Sequence, residues 1–249
     1  MRDPIKNFSD KAENYDKYRM GYSKDILDYL AEYNFNNDSI IADIGSGTGK
    51  LSKIFLDNGN IVYAVEPDDN MRNMADLSLK VFENFVSING SAENTTLQSG
   101  TIDFVAVGQA FHWFDVPKAL DEFKRILKKD AVLVLIWYNR KTDTPFLREY
   151  DRILQNNPAY KGSIHKDKFS DGTIEKIYSK DYKKIVFDKK HELTFAELMG
   201  GFLSSSYSPK EGSDLYNESY KLLEKIFNEH KTKDKVIFNY ETEMYIGRL

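Results

Sequence analysis

The sequence predicts an α/β fold built on an open, mostly parallel sheet. Short apolar runs of strand length alternate with amphipathic helical patterns, and the runs are rich in Val and Ile. Strands that are buried on both faces of a parallel sheet have this composition, and the alternation is typical of βαβ units. The 249 residues are enough for one such domain, and we predict a single domain over 1–249.

Five predicted strands occupy the first part of the chain, at residues 39–44, 61–65, 85–89, 101–107 and 131–138. Two amphipathic helices lie between them. Leu51, Ile54 and Phe55 share one helical face directly after the first strand. A second apolar stripe over 116–127 follows Asp115, which stands where a helix N-cap is expected.

After residue 140 the alternation of strands and helices becomes irregular. The pattern predicts strands near 183–188 and 235–248. Helical segments are predicted near 146–155, over 194–207 with a break at Gly200-Gly201, and within 211–230.

The loop after the first strand, in "IADIGSGTGKLSKIF" (41–55), contains glycines at alternate positions 45, 47 and 49. A triphosphate-binding P-loop needs four residues before its Gly-Lys pair and then a Ser or Thr, and this loop has three residues and then Leu51. A dinucleotide fingerprint needs a third glycine where Lys50 stands. The loop therefore favours a different ligand that contains adenosine.

An acidic residue ends the second predicted strand, "NIVYAVEP" (60–67). Glu66 lies about twenty residues beyond the glycine loop, where a carboxylate can accept hydrogen bonds from ribose hydroxyls. A carboxylate there would repel a 2′-phosphate, so the pattern favours a free ribose.

These motifs together resemble those of class I S-adenosylmethionine-dependent methyltransferases, in particular a small-molecule branch that includes trans-aconitate methyltransferase-like proteins. The resemblance covers residues 8–140 well and the rest in outline. It implies S-adenosylmethionine as cofactor and a Rossmann-like sheet of seven strands, with helices on both faces and an antiparallel last strand. It also implies a cofactor-binding core at about 35–140 and a lid formed by 1–34 and parts of 141–233.

The same resemblance assigns residues to the cofactor. The glycine loop contributes Asp43, Gly45, Ser46, Gly47 and Gly49, and strand two contributes Glu66 with Pro67. The loop "NGSAENTTL" (89–97) would surround adenine. Ser91 stands where the family often has Asp, so Ser91, Ala92 and Glu93 all remain candidates for the adenine contact.

Two further segments would contact the methionine end of the cofactor. In "QAFHWFD" (109–115), Gln109 would face the cofactor, whereas Phe111, His112 and Trp113 would face the acceptor. In the amino-terminal segment, Tyr18 and Arg19 are candidates for the methionine carboxylate, since a guanidinium binds carboxylates bidentately. Tyr18 and its neighbours are alternatively a packing stripe.

The acceptor is not named by any motif. The aromatic residues of the loop and the predicted lid indicate a partly apolar small molecule, and O-methylation is favoured. His112 is the candidate general base, because imidazole accepts protons near neutral pH. Arg140 is a candidate partner for an anionic group on the acceptor.

Composition limits the other possibilities. The net charge of −4, from 35 basic and 39 acidic side chains, disfavours nucleic acid as the partner. The sequence contains no cysteine, and its four histidines lack metal-ligand spacing, so no catalytic metal is expected. The amino terminus lacks a signal-peptide pattern and no apolar run is long enough for a membrane span, so a cytoplasmic protein is expected. We also expect a monomer or homodimer.

Two other function classes remain open from the sequence. A nicotinamide-dependent oxidoreductase would share the sheet but not the Lys50 position of the loop. A non-catalytic protein that binds an adenosyl ligand would carry the same cofactor motifs.

Overall fold

A computed structural model describes residues 21–160, 171–179, 181–205 and 207–249. The predicted cofactor residues Tyr18 and Arg19 lie outside these ranges, so their assignment stays a prediction.

The described residues form one seven-stranded sheet with the order β3-β2-β1-β4-β5-β7-β6. Strand β7 pairs antiparallel with both neighbours, and all other neighbouring pairs are parallel. The predicted Rossmann-like sheet with an antiparallel last strand is therefore confirmed. The strands are β1 (Ile40–Ile44), β2 (Ile61–Val65), β3 (Phe85–Ile88), β4 (Ile102–Gly108), β5 (Leu127–Arg140), β6 (Tyr182–Leu193) and β7 (Val236–Arg248).

Helices cover both faces of the sheet. Alternate residues of β5 belong to different buried clusters, as expected for a strand covered on both sides. Helices α4 and α6 pack on one face, and α1, α2 and α3 pack on the other. The helices are α1 (Asp25–Leu30), α2 (Ser52–Asp57), α3 (Asp69–Leu79), α4 (Val116–Ile126), α5 (Pro145–Gln155), α6 (Asp171–Ile177), α7 (Phe195–Leu203) and α8 (Asp214–His230).

A third buried cluster joins α5, α7 and α8 to the beginning of β7. We call these three helices the outer helices. Phe146, Leu198 and Phe227 are among their buried side chains, and Phe238 of β7 packs edge-on against Phe146. The first residues of β7 and the last residues of β5 therefore extend beyond the parallel strands and support the outer helices.

The structure differs from the sequence-based expectations in helix α7 and in strands β5 and β6. The predicted helix break at Gly200-Gly201 is wrong, because α7 runs unbroken through both residues. Glycine costs about 1 kcal/mol in a helix, and burial of Leu198 and Phe202 outweighs that cost. Strands β5 and β6 are also longer than predicted. Pairing with β7 continues beyond the apolar runs at the end of β5 and along β6, and Leu127 at the start of β5 pairs with Ile102 of β4.

The start of α4 also differs in detail. Asp115 occupies the N-cap position and Pro117 lies in the first turn, as predicted. The Asp115 side chain makes no cap hydrogen bond and instead pairs with Lys118 at 2.7 Å.

A buried acid in α4 links this helix to the loop after β3. Glu122 Oε1 accepts hydrogen bonds from Thr95 N (2.8 Å) and Thr95 Oγ1 (2.5 Å), and Oε2 pairs with Arg125 Nε at 2.7 Å. Burial acts to raise the pKa of Glu122, but the hydrogen bonds from Arg125 and Thr95 outweigh it and lower the pKa to about 2.

We expect Glu122→Gln to lower the free energy of unfolding by about 2 kcal/mol at neutral pH, because hydrogen bonds to a charged group are lost. A depressed pKa stabilises the fold above the unfolded value and loses that effect as pH falls towards 2, so the variant should approach wild type in acid. Urea unfolding at pH 7 and pH 3 measures both effects. Asp121→Asn, at an exposed neighbour on α4, is the control; an equal loss in both variants contradicts the assignment.

Candidate functional site

The loop after β1 is held by its backbone. The N–H groups of Gly45 and Ser46 both donate to the carbonyl of Val65, at 2.8 and 3.1 Å, so the ends of β1 and β2 are joined. Gly45 has φ +69°, and a Cβ there would lie 2.7 Å from Ala110 Cβ. Glycine is needed at this position for both its conformation and its lack of a side chain.

The other two glycines of the loop have different surroundings. At Gly49 a Cβ would overlap Leu79 of α3, so this glycine allows helix α3 to approach. At Gly47 (φ +57°) a Cβ would meet no atom of the described residues within 4 Å. Gly47 therefore faces open space, as expected for a position that a ligand approaches closely.

Glu66 lies directly beside Gly47. Its Oε2 accepts a hydrogen bond from Gly47 N, and its Oε1 accepts one from Asp68 N, each at 2.9 Å. Burial is the main cause that raises the pKa of Glu66 above its usual range. Each carboxylate oxygen can accept more than one hydrogen bond, so both retain capacity for ribose hydroxyls. Pro67, directly after Glu66, is half-buried.

Asp43 ends β1 behind the loop and is 1% exposed. Ser52 Oγ donates to its Oδ2 at 2.6 Å, whereas its Oδ1 has no hydrogen-bond partner among the described residues. Burial raises the pKa of Asp43 to about 7. A buried carboxylate oxygen without a donor is the type of group that a ligand satisfies.

A pocket opens at the carboxyl ends of β1, β4 and β5. Its lining includes two tyrosines that the sequence motifs did not indicate, Tyr22 and Tyr138, whose rings meet edge-on at 5.7 Å. A Cβ at Gly108 would overlap the Tyr22 hydroxyl, so Tyr22 lies directly on the end of β4. The sequence contained one signal for Tyr138 as a pocket residue, namely its position at the end of the predicted strand 131–138. The lining residues are Tyr22, Asp43, Gly45, Ser46, Gly47, Thr48, Lys50, Leu51, Gly108 and Tyr138.

The predicted adenine loop forms a tight turn after β3. Ser91 N donates to Asn94 O at 3.1 Å and Asn94 N donates back to Ser91 O at 3.2 Å, which places Ala92 at the tip in a buried position. Glu93 Oε1 accepts from Asp115 N at 2.9 Å. The Glu93 carboxylate thus binds the start of α4. Ser91 and the Ala92 backbone are therefore the better candidates for the adenine contact.

The segment after β4 adopts a short 3₁₀ turn at Phe111–Trp113. Gln109 has φ +56° and donates from Nε2 to the Tyr138 carbonyl at 2.8 Å. His112 is 9% exposed and its ring lies 4.8 Å from that of Trp113, which is 38% exposed. The structure places Phe111 in the core, fully buried against Trp137, rather than on an open wall.

Arg140, the predicted partner of an anionic group, already has an acidic neighbour. Its Nη2 donates to Asp151 Oδ1 of α5 at 2.7 Å.

Glu149, Glu229 and His230 of the outer helices are close enough together to hold a metal ion, but none of them lines the pocket. Within the described ranges, no helix has both the length and the apolar character needed to cross a membrane.

Comparison with known proteins identifies a related family. A family described as "Methyltransferase domain" matches residues 42–135. An uncharacterised methyltransferase of Schizosaccharomyces pombe is 33% identical over 152 residues, 60% of this chain and 59% of that protein. A ubiquinone/menaquinone biosynthesis C-methyltransferase of Campylobacter jejuni is 27% identical over 199 residues, 71% of this chain and 83% of that protein. The chain thus spans about three fifths of the first of these relatives.

The fold has a close counterpart among solved structures. A candidate type II methyltransferase from Anaeromyxobacter dehalogenans superimposes with a TM-score of 0.71 over 93% of this chain and 98% of that one, at 18% identity. At this identity the match concerns the fold. Together, these findings confirm the resemblance to class I S-adenosylmethionine-dependent methyltransferases, a family whose cofactor is S-adenosylmethionine.

The pocket fits that cofactor chemically. Gly47 leaves open space for a close approach, Glu66 has spare acceptor capacity for a ribose, and Asp43 offers an unpartnered carboxylate oxygen within the described part of the chain.

We expect the stability of ligand-free Asp43→Asn to be close to that of wild type at pH 4 and higher than that of wild type at pH 8. Because the folded pKa of about 7 lies above the unfolded value of 3.8, wild type loses stability as pH rises from 3.8 through about 7, whereas Asn stays neutral at every pH. Urea unfolding at both pH values tests this. Asp57→Asn is the control, because pairing with Lys53 lowers the Asp57 pKa and that acid does not titrate in this window. Identical pH slopes in wild type and Asp43→Asn refute the burial effect.

Proposed function

We propose that this chain is an S-adenosylmethionine-dependent methyltransferase that acts on a small-molecule acceptor, with oxygen as the favoured acceptor atom. The observation that carries the proposal is the pairing of an open Gly47 with the buried Glu66 carboxylate at the carboxyl edge of β1 and β2. Ligands of open α/β sheets bind at this edge. The family match over residues 42–135 includes both residues.

The cofactor roles follow from position. Glu66 binds the ribose hydroxyls, with Pro67 beside it, and the loop 45–49 lies under the methionine part. Asp43 accepts a hydrogen bond from a donor in the pocket, and the turn at 91–93 lies against adenine. Gln109 completes the methionine end, and Tyr18 and Arg19 remain proposed partners for the methionine carboxylate.

The cofactor supplies a methyl group on a positively charged sulfur, which makes the group electrophilic without help from the protein. The protein's own contribution is to align the acceptor and to exclude water. Tyr22 and Tyr138 line the pocket beside Gly108. We assign to them both the alignment of the acceptor and the exclusion of water. His112 is the proposed base for acceptors that carry a proton, and Trp113, which is partly exposed, offers a flat contact.

The acceptor atom is the least constrained part of the proposal. The Campylobacter jejuni relative is named a C-methyltransferase, so carbon is the main alternative to oxygen. A protein that binds an adenosyl ligand without turnover, and a nicotinamide-dependent oxidoreductase, are the alternatives from other classes. A cytoplasmic location, a monomer or homodimer, and no nucleic-acid partner stay predictions from the sequence.

Isothermal titration with S-adenosylmethionine and with NAD separates these classes. We expect binding of the former alone, and native mass spectrometry should detect a co-purified adenosyl ligand. Tight binding of NAD would reject the proposal. Binding of S-adenosylmethionine without methyl transfer to any member of a metabolite panel would favour the non-catalytic alternative.

We expect Glu66→Ala to weaken S-adenosylmethionine binding by about 1.5–3 kcal/mol, because charge-assisted hydrogen bonds are lost. Gly47→Val should weaken it further, since a branched side chain would fill the ligand's space. Calorimetry measures both.

Matched controls are present in the chain. Gly59 also has a positive φ (+95°) and open surroundings but does not line the pocket, so Gly59→Val carries comparable backbone strain without the loss of binding. Glu32→Ala removes an exposed acid that pairs with Lys183. If the controls weaken binding as much as the pocket variants do, the site is wrongly placed.

We expect His112→Ala to leave cofactor affinity within about twofold and to lower kcat by about 10²-fold for acceptors that are protonated at neutral pH, the scale of general base catalysis. Acceptors that are already ionised should lose less than about tenfold. Steady-state kinetics with one acceptor of each type measures the contrast. An equal loss for both types would make His112 a packing residue.

A further inference from the structure

A row of aromatic rings leads from the pocket towards Arg140. Tyr138 lines the pocket, and its ring lies 6.0 Å from that of Tyr240, edge-on. Tyr240 stands directly opposite Arg140 in the β5–β7 register. Because strand residues two apart share a face, Tyr138 and Arg140 are on the same side of β5. The wall of the pocket therefore continues along this face to a guanidinium.

Arg140 is enclosed to an unusual degree for an arginine. Its side chain is 16% exposed, and its Cζ lies 4.8 Å from the centre of the Tyr150 ring. The rings of Tyr160 and Tyr207 meet at 4.8 Å, and both side chains are close enough to interact electrostatically with the guanidinium. Arginine stacks well on aromatic faces, so the Tyr150 ring helps to fix the plane of the guanidinium.

The hydrogen bonds of this guanidinium are incomplete within the described part of the chain. Asp151 Oδ1 accepts from Nη2 at 2.7 Å, but the buried Nε has no partner there. Asp151 itself is held in place, because its Oδ2 accepts from Gln155 Nε2 at 2.6 Å. Tyr160 also shares a side-chain hydrogen bond with Arg140. A guanidinium carries five N–H donors in a planar fork, so these two neighbours do not saturate it. A buried donor without an acceptor costs free energy, which a second acceptor would recover.

We propose that Arg140 binds a carboxylate of the methyl acceptor, and that Tyr138 and Tyr240 carry the planar apolar body of that molecule between this anchor and the pocket. The identification of the ligand as the acceptor rests on the proposed methyl transfer, whereas the carboxylate site itself does not. Asp151 orients the guanidinium. Its negative charge also offsets part of the positive charge of Arg140, which lowers the affinity of Arg140 for the acceptor carboxylate.

Two probes of equal shape test the site, namely 4-hydroxyphenylacetate and its uncharged amide. Binding at millimolar concentration is measured by ligand-observed NMR on the full chain, which needs no turnover. Wild type should bind the acid at least tenfold more tightly than the amide. Arg140→Gln should remove this difference, and Asp151→Asn should tighten binding of the acid several-fold without effect on the amide, because a competing negative charge is gone.

Arg148→Gln is the matched control, because it removes another arginine. Arg148 lies on α5, the helix that carries Asp151, and donates to the backbone carbonyls of Thr142 and Asp143 just before that helix. Its preference for the acid should equal that of wild type. Equal binding of acid and amide by wild type, no binding of either, or a preference retained in Arg140→Gln each overturns the proposal. If thermal melting shows that Arg140→Gln is unfolded, Asp151→Asn decides, and an unchanged ratio of acid to amide overturns it.

S-adenosylmethionine binding is measured on the same samples. Loss of the acid preference with intact cofactor binding rejects the carboxylate site alone. An intact acid preference without any cofactor binding rejects the methyltransferase function and leaves an anion site.

Discussion

The site depends on two hydrogen bonds to one carbonyl. Gly45 N and Ser46 N both donate to Val65 O, so the chain leaving β1 turns over the end of β2. This turn needs a positive φ at Gly45 and no side chain there, since Ala110 lies in the way. Once the turn is made, Gly47 points its N–H at Glu66 and its open side at the pocket. The parallel pairing of β1 with β2 thus creates the ligand surface directly.

Two buried acids give the site its electrostatic character, namely Asp43 in the pocket lining and Glu66 beside Gly47. Burial raises the pKa of both Asp43 and Glu66, which means that burial disfavours their charged forms. Hydrogen-bond donors or positive charge from a ligand would relieve that penalty. Perturbed carboxylates in a cleft are common at functional sites, and these two fit a cofactor with ribose hydroxyls and cationic groups.

The two ends of the proposed active site come from different parts of the chain. Most of the cofactor end lies within residues 42–135, which match the methyltransferase domain. The acceptor end depends on the extension of β5 and β7 beyond the parallel strands and on the outer helices that pack there. This division agrees with the general behaviour of such folds, in which a constant sheet edge is combined with variable surroundings. Arg140 and Tyr240 lie on the variable side.

The sequence by itself determined the sheet, the glycine loop and Glu66, because these features depend on local patterns. Apolar runs mark buried strands, and a glycine or an acid at a strand end is read from its position alone. It did not distinguish Gly47, which faces the pocket, from Gly49, which packs on Leu79, since that difference depends on a helix elsewhere in the chain.

Only the tertiary structure decided the partners of the longer side chains. It buried Phe111 in the core, assigned Glu93 to the start of α4 and paired Arg140 with Asp151. It also brought Tyr22 and Tyr138 together across the pocket. Each of these contacts joins segments whose own sequence carries no sign of the other. The physical reason is that long-range packing and the satisfaction of buried polar groups select among side-chain roles that local pattern leaves equal.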